Sequence, residues 1–301
     1  MLKDILKKIF SFFGLQVKKI PKKIKFIKNL QQIKIGNFEI NLNADHTLPK
    51  VLKKWPNYSA NLPRLASKIK EKYPDLILID VGANVGDTVA LLRKDCFFPI
   101  VCIEGDNEYY HLLSQNIKQF KEVSIFQHFL GENSKITKAT TTKEDGTARI
   151  TKSNDTIKFL RLDKFINTHS NFRSAKILKI DTDGYDLKIL RGGLNYIKQT
   201  KPILFFEYDE VYLSKVEDKG LPTLTKLKDL GYNKIIFYDN FGRFLLSTEL
   251  KNHELIKQLH LYIKNKKGGF PYYDLCIFHE IDNDLALKCI NNEILLTENT
   301  I

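Results

Sequence analysis

Four short apolar runs in this chain end in carboxylates. Asp80 follows Leu76-Ile77-Leu78-Ile79, Glu104 follows Ile100-Val101-Cys102-Ile103, and Asp181 follows Ile177-Leu178-Lys179-Ile180. Glu207 closes the fourth run and is followed by Tyr208-Asp209-Glu210. Asp183 stands two residues beyond Asp181, beside a glycine turn. Acids gathered at one sheet edge can take a proton from a hydroxyl, orient a cationic ligand, or hold a divalent metal through oxygen. Each also has a plainer use, as a helix cap in the case of Asp183 or as a turn residue. Their shared place at strand ends favours chemistry.

The first acid leads into Val81-Gly82-Ala83-Asn84-Val85-Gly86-Asp87-Thr88. Gly82 and Gly86 let the backbone turn tightly and approach a ligand, and the helix expected from Asp87 to Arg93 points its positive end back at it. A dinucleotide site wants G-x-G-x-x-G, so that backbone can press against a pyrophosphate. Here the spacing is G-x-x-x-G, with Asn84 where the middle glycine would stand. A smaller ligand with a carboxylate, such as the methionine end of S-adenosylmethionine, fits better. Glu104 would accept two ribose hydroxyls, which both cofactor classes require. The expected cofactor set is Asp80, Gly82, Asn84, Gly86, Asp87, Thr88 and Glu104; the expected catalytic set is Asp181, Asp183 and Glu207. A divalent metal across the latter three is the less favoured variant of the same site, and no dedicated metal residues are expected.

These residues need a sheet to bring them together. The chain alternates from strand 76–79 through helix 87–93, strand 100–104, helix 107–119 and strand 123–128. After an irregular threonine-rich stretch, 133–156, come strand 177–181, helix 185–198, strand 203–208, helix 222–230, strand 234–238 and a closing strand 273–279. Such alternation predicts a doubly wound α/β sheet with helices on both faces, its ligands at the carboxyl ends of the strands. Upstream, Ile33, Ile35, Phe38, Ile40 and Leu42 alternate around Gly36-Asn37 as a hairpin, followed by a helix over 62–72. Residues 133–160 and 240–272, with Tyr238, Phe241, Tyr262, Phe270, Tyr272 and Tyr273, are expected to wall an acceptor.

Composition narrows the class. The 301 residues are 43% apolar, enough for a full core, and no run approaches the roughly 18 apolar residues of a membrane span. Cys96, Cys102, Cys276 and Cys289 are scattered, without the C-x-x-C or histidine spacing of a zinc site, and fit a reducing cytoplasmic setting. The net charge is +13, but residues 1–54 hold 13 lysines against Asp4, Glu39 and Asp45, which leaves only +3 for the rest. Basicity therefore belongs to an extension and not to the catalytic body. Within it, Leu2, Ile5, Leu6, Ile9, Phe10 and Phe13 share a helical face opposite Lys3, Lys7 and Lys8. That face needs a protein groove or a lipid surface, and the lysines from Lys18 to Lys28 would add attraction to anionic lipid. Three regions result: a basic amphipathic extension, 1–30; a hairpin and helix, 31–75; and a cofactor-binding domain, 76–301.

The ordered motifs resemble the FkbM-type S-adenosylmethionine-dependent methyltransferases. They are Asp80-Val81-Gly82-Ala83-Asn84-Val85-Gly86-Asp87, Glu104, Leu162-Asp163, Leu178-Lys179-Ile180-Asp181-Thr182-Asp183-Gly184-Tyr185-Asp186, Leu190-Arg191-Gly192-Gly193 and Phe206-Glu207-Tyr208. The chain departs from the family at Glu104-Gly105, where members often carry E-P. The resemblance, over about residues 45–280, implies a class I Rossmann-like sheet of seven strands with the last antiparallel. It also implies O-methylation of a sugar or polyketide hydroxyl, on a small molecule or a glycan. The rivals are a nucleic-acid methyltransferase recruited by the basic extension, a nicotinamide dehydrogenase, and a cofactor-binding protein without catalysis. Against the first, no N/D-P-P-Y/F motif and no catalytic cysteine motif is present.

Overall fold

Strand Leu78–Val81 (β3) is buried on both faces, as a run without polar alternation requires. It lies at the centre of the molecule. The computed structural model describes residues 30–264 and 271–299; the amphipathic extension up to residue 29 and Phe270 fall outside them, and Leu30 belongs to the first strand. Around β3, an eight-stranded sheet is built from Ile100–Glu104 (β4), Val123–Gln127 (β5), Ile177–Ile180 (β9), Ile203–Tyr208 (β10), Tyr232–Asp239 (β11), Phe244–Glu249 (β12) and Tyr273–His279 (β13). Their order is β12-β11-β13-β10-β9-β3-β4-β5. β5, β4, β3, β9 and β10 run parallel, and β13 is inserted antiparallel between β10 and β11. The predicted reversal of the last strand is therefore present.

The strand count is one higher than the seven implied by family resemblance. The eighth, β12, lies in a segment read only as an acceptor wall. Asp239 Oδ1 accepts the N–H groups of Phe241 and Arg243, and Gly242 adopts φ +78°, so the chain reverses at 239–243 and pairs with β11. A second correction concerns 133–156. Instead of an irregular stretch it forms Lys135–Glu144 (β7) and most of Thr147–Arg161 (β8), paired antiparallel, with Phe129–Gly131 (β6) alongside. Asp145 (φ +56°) and Gly146 (φ +88°) make the two-residue turn between them, and Asp-Gly is the strongest short-range hairpin signal there is. Threonines suit such a ribbon because their branched side chains fit the pleat.

Strand β3 begins two residues later than expected, which places Asp80 inside it and not after it. The helix read over 185–198 is two, Asp186–Gly192 and Leu194–Thr200, broken where a Cβ on Gly193 would stand 2.6 Å from Leu162 Cδ2. The predicted hairpin is present as Leu30–Ile35 (β1) and Phe38–Asn43 (β2). Its Ile35, Ile40 and Leu42 pack on Val85, Ala90, Tyr109 and Leu112, just behind the glycine loop. The sheet's two faces carry separate apolar layers, one around Ile79, Val101, Leu178 and Leu204, the other around Leu78, Cys102, Ile177 and Phe205. All four cysteines are buried and free. Among the described residues no helix is long and apolar enough to cross a membrane.

Candidate active site

The carboxyl ends of β3, β4, β9 and β10 open into one cavity of about 400 Å³. Gly82 forms its floor with φ +81°, and a Cβ there would stand 1.8 Å from the carbonyl oxygen of Asp181. Only glycine fits. The N–H groups of Gly82 and Ala83 donate to Ile103 O at 2.9 and 3.2 Å, which ties the loop to β4. Asn84, itself left-handed at φ +48°, donates from its backbone to Glu104 Oε2 at 2.9 Å, and Asp106 N–H donates to Glu104 Oε1 at 2.7 Å. A carboxylate has about four acceptor sites, so Glu104 keeps room for a further donor. Burial pushes the Glu104 carboxyl up to about 7, with hydrogen bonds from the backbone of Asp106, Asn84 and Gly105 pulling the other way. The Asn84 amide also donates to Gly146 O at 2.9 Å, so the β7–β8 turn closes over the loop.

On the other side of Gly82 the acids converge. Asp181 leaves the end of β9 with its side chain half exposed. Asp183 sits at φ +50° with its carboxylate 3.9 Å from Arg149 Nε; burial and Asp181 raise it to about 6, against the pull of Arg149. Glu207, at the end of β10, has an Oε1 that is buried without a partner, and burial followed by Asp181, Asp186, Asp183 and Asp274 holds it well above the usual carboxylate range. Asp274 stands opposite Glu207 in the β10–β13 register, and burial followed by Asp181 raises it to about 7. Two phenols, Tyr58 and Tyr272, line the same end and are kept neutral by burial beside these acids.

One cation stands beneath the cluster. Lys179 is paired with Asp80 in the β3–β9 register, and its Nζ lies 2.9 Å from Asp80 Oδ1 and 3.3 Å from Asp181 Oδ2. A buried ammonium with two carboxylates links the cofactor loop strand to the acid that faces the cavity. Asp186, almost fully buried, accepts from Thr182 Oγ1 and Gly184 N–H at 3.1 Å each and holds the turn that presents Asp183.

Eight predicted site residues line the cavity: Gly82, Asn84, Asp87, Thr88, Glu104, Asp181, Asp183 and Glu207. Two do not reach it. Asp80 is fully buried against Lys179, and Gly86 packs under Leu113. The aromatic wall expected from sequence is mostly elsewhere: Tyr238 and Tyr273 are core, Phe241 packs on Trp55 with ring centroids 4.3 Å apart, Tyr262 is on the outer surface, and among its described residues only Tyr272 lines the cavity. Sequence reasoning missed Lys179, Tyr58, Arg149 and Tyr212. A lone lysine inside an apolar run was a legible signal for the first; nothing local marks the others. Among the described residues no three His, Cys, Asp or Glu side chains are grouped to hold a metal ion.

S-Adenosylmethionine fits this site on the chain's own features. Gly82 lets the loop pack against the Asp181 backbone at the head of the cavity, Glu104 keeps acceptor capacity for a ribose hydroxyl, and the carboxylates lining the cavity outnumber Lys179 and Arg149, which suits a sulfonium. A family model described as "Methyltransferase FkbM domain" matches residues 80–234, just over half of the chain. The chain belongs to the FkbM methyltransferase family. The strand order of this FkbM methyltransferase, with β13 reversed, is that of the class I sheet plus the edge strand β12. Among solved structures, similarity is found to methyltransferase FkbM from Methylobacillus flagellatus KT, at 20% identity and TM-score 0.33 over 44% of this chain and 32% of that one. The match thus spans about a third of that protein. Others are precorrin-6y C5,15-methyltransferase from Geobacter metallireducens GS-15 (11% identity, TM-score 0.36, 68% of this chain and 81% of that one) and M. jannaschii TYW2 in complex with AdoMet (12%, 0.36, 87% and 90%). No curated protein sequence matches the chain.

Proposed function

We propose that this FkbM methyltransferase transfers a methyl group from S-adenosylmethionine to a hydroxyl of a small molecule or glycan, a sugar foremost. The observation that carries this reading is the sharing of one cavity by the Asn84–Glu104 cradle and the carboxylates Asp181, Asp183 and Glu207, with Gly82 as the floor between them. When bound, the cofactor supplies an electrophilic methyl on a sulfonium. Glu104 would hold the ribose hydroxyls, and the helix start at Asp87 and Thr88 would meet the methionine end. Asp181, half exposed and steadied by Lys179, faces the remaining volume, where it would orient the acceptor and take its proton. Glu207, biased to its protonated form by burial and its neighbours and without a partner on Oε1, would act as a hydrogen-bond donor that orients the acceptor. Closure by the β7–β8 turn and the Tyr58–Tyr272 side would limit water and align the reacting atoms, a main source of rate in such transfers.

Glycan and small-molecule hydroxyls suit this end of the cavity because tyrosines and carboxylates together match a polyol's apolar faces and donors. The lysine-rich segment 2–28 suits peripheral contact with anionic lipid on a cytoplasmic membrane face. Transfer of labelled methyl to hydroxyl acceptors tests the reading. Chelator should leave the rate unchanged; strong inhibition reversed by magnesium would make Asp181 and Glu207 metal ligands instead.

A further inference from the structure

Two buried polar atoms beside the glycine loop lack partners and complement each other: Nε2 of His46 and Oδ1 of Asn84. His46 lies buried between β2 and the helix Leu48–Lys54. Its N–H donates to Asn43 O at 3.1 Å and its carbonyl accepts from Gln31 Nε2 at 2.9 Å, so the hairpin pins its backbone from both sides. Its Nδ1 accepts Leu48 N–H at 3.2 Å. A neutral imidazole that accepts at Nδ1 carries its proton on Nε2, and burial keeps this ring neutral by lowering its pKa. The unpartnered nitrogen is therefore a donor.

The Asn84 amide is fixed in turn. Its Nδ2 must face Gly146 O, which can only accept, so Oδ1 is the atom left over, and it too can only accept. The same Gly146 rests on the imidazole: a Cβ there would stand 2.6 Å from Nδ1, 2.7 Å from Cε1 and 2.9 Å from Cγ of His46. Thr47, next in sequence, donates from Oγ1 to Asp145 O. His46 thus stands where the hairpin, the β7–β8 turn and Asn84 meet, and the Asn84 side chain acts on it as an acceptor. A buried donor and a buried acceptor left unpaired side by side carry a cost that one bond between them would remove. We propose that His46 is a positioning residue for the cofactor: its Nε2–H bonds Asn84 Oδ1 once S-adenosylmethionine fills the cavity, locking the hairpin, the Gly82–Gly86 loop and the β7–β8 turn around the ligand. This rests on reading the Asn84–Glu104 cradle as the S-adenosylmethionine site.

Calorimetry with S-adenosylhomocysteine on the full chain separates this bond from a merely structural role. His46→Gln keeps an amide nitrogen where Nε2 stands and loses the acceptor at Nδ1; His46→Asn keeps an acceptor where Nδ1 stands and loses the donor at Nε2. His46→Asn should weaken binding roughly tenfold, chiefly through faster release, whereas His46→Gln should stay within about threefold of wild type. Asn84→Gly suits the left-handed backbone at that position and removes the acceptor, so adding His46→Asn to it should cost nothing further. In wild-type protein carrying isotope-labelled histidine, the one Nε2–H resonance that His46→Gln deletes should become protected from exchange when ligand is added. Equal affinity in the Gln and Asn variants, loss in the Gln variant alone, or an Nε2–H that stays unprotected with ligand bound overturns the proposal. If a variant does not fold by circular dichroism, the wild-type protection of the His46 proton decides. Failure of the wild-type chain to bind the ligand would instead refute the cofactor reading itself.

Discussion

Cofactor affinity should depend on pH through one carboxylate. Glu104 is held at about 7 in the ligand-free protein by burial, and in its ionised form it would accept a ribose hydroxyl beside the Asn84, Asp106 and Gly105 backbone groups that already bond it. Hydroxyl donors stabilise the anion, so binding draws the pKa down and releases protons in the neutral range. With a free-state value near 7, the ionised fraction falls from about nine-tenths at pH 8 to about one-tenth at pH 6, so S-adenosylhomocysteine should bind about tenfold more weakly at pH 6. Asp87 and Asp183, each held at about 6, extend the fall only at lower pH. Glu104→Gln must turn its amide nitrogen toward Asn84 N–H or Asp106 N–H, so a donor faces a donor. Loss of a charged hydrogen bond, about 1.5–3 kcal/mol, predicts roughly 10- to 100-fold weaker binding at pH 8. The variant should also lose the dependence between pH 8 and 7. Calorimetry across pH 5.5–8.5 in buffers of different ionisation enthalpy measures both affinity and proton release. An affinity flat with pH, or rising toward acid, would refute the role of Glu104 as the ionised diol acceptor.

Three other outcomes follow from the same geometry. Ligand-free protein should melt higher at pH 6 than at pH 8: Glu104, Asp183, Asp186 and Asp274 are raised to about 6–7, so the stability their protonation confers is complete below the unfolded carboxylate pKa and is lost as pH rises through 6–7. A melting temperature that increases from pH 6 to 8 would contradict the raised cluster. Gly82→Ala combines a positive φ with a Cβ 1.8 Å from Asp181 O, and should cost well over about 1 kcal/mol in urea unfolding while abolishing cofactor binding; wild-type affinity would place the ligand elsewhere. Lys179→Met leaves Asp80 buried and unpaired, a loss of roughly 3–5 kcal/mol, and should be partly rescued by adding Asp80→Asn, whereas additive losses would deny the pairing.

The glycine loop and the strand-end acids were legible because their signals are local. G-x-x-x-G spacing fixes a turn that only Gly82 can make against Asp181, and an apolar run ending in an acid is read without knowing its neighbours. The threonine-rich ribbon was also locally encoded, since Asp145-Gly146 specifies the turn; periodicity alone passed over it. Tyr58 and Arg149 reach the cavity only because distant segments fold over it, from before β3 and from the β7–β8 ribbon. No spacing encodes that. Of the aromatic residues expected in an acceptor wall, Tyr272 lines the cavity, whereas Tyr238 and Tyr273, within β11 and β13, are spent on the core, because large aromatics bury first.

The most direct test is transfer of isotope-labelled methyl from S-adenosylmethionine to a panel of sugars, nucleotide sugars, lipid-linked glycans and polyketide alcohols, run beside tRNA and duplex DNA. Wild-type protein should label oxygen of a hydroxyl acceptor, and Asp181→Asn should cut the rate at least about 100-fold while binding S-adenosylhomocysteine as before. Label on nucleic acid alone, or an Asp181→Asn variant that turns over at the wild-type rate, would contradict O-methylation at the Asp181 mouth.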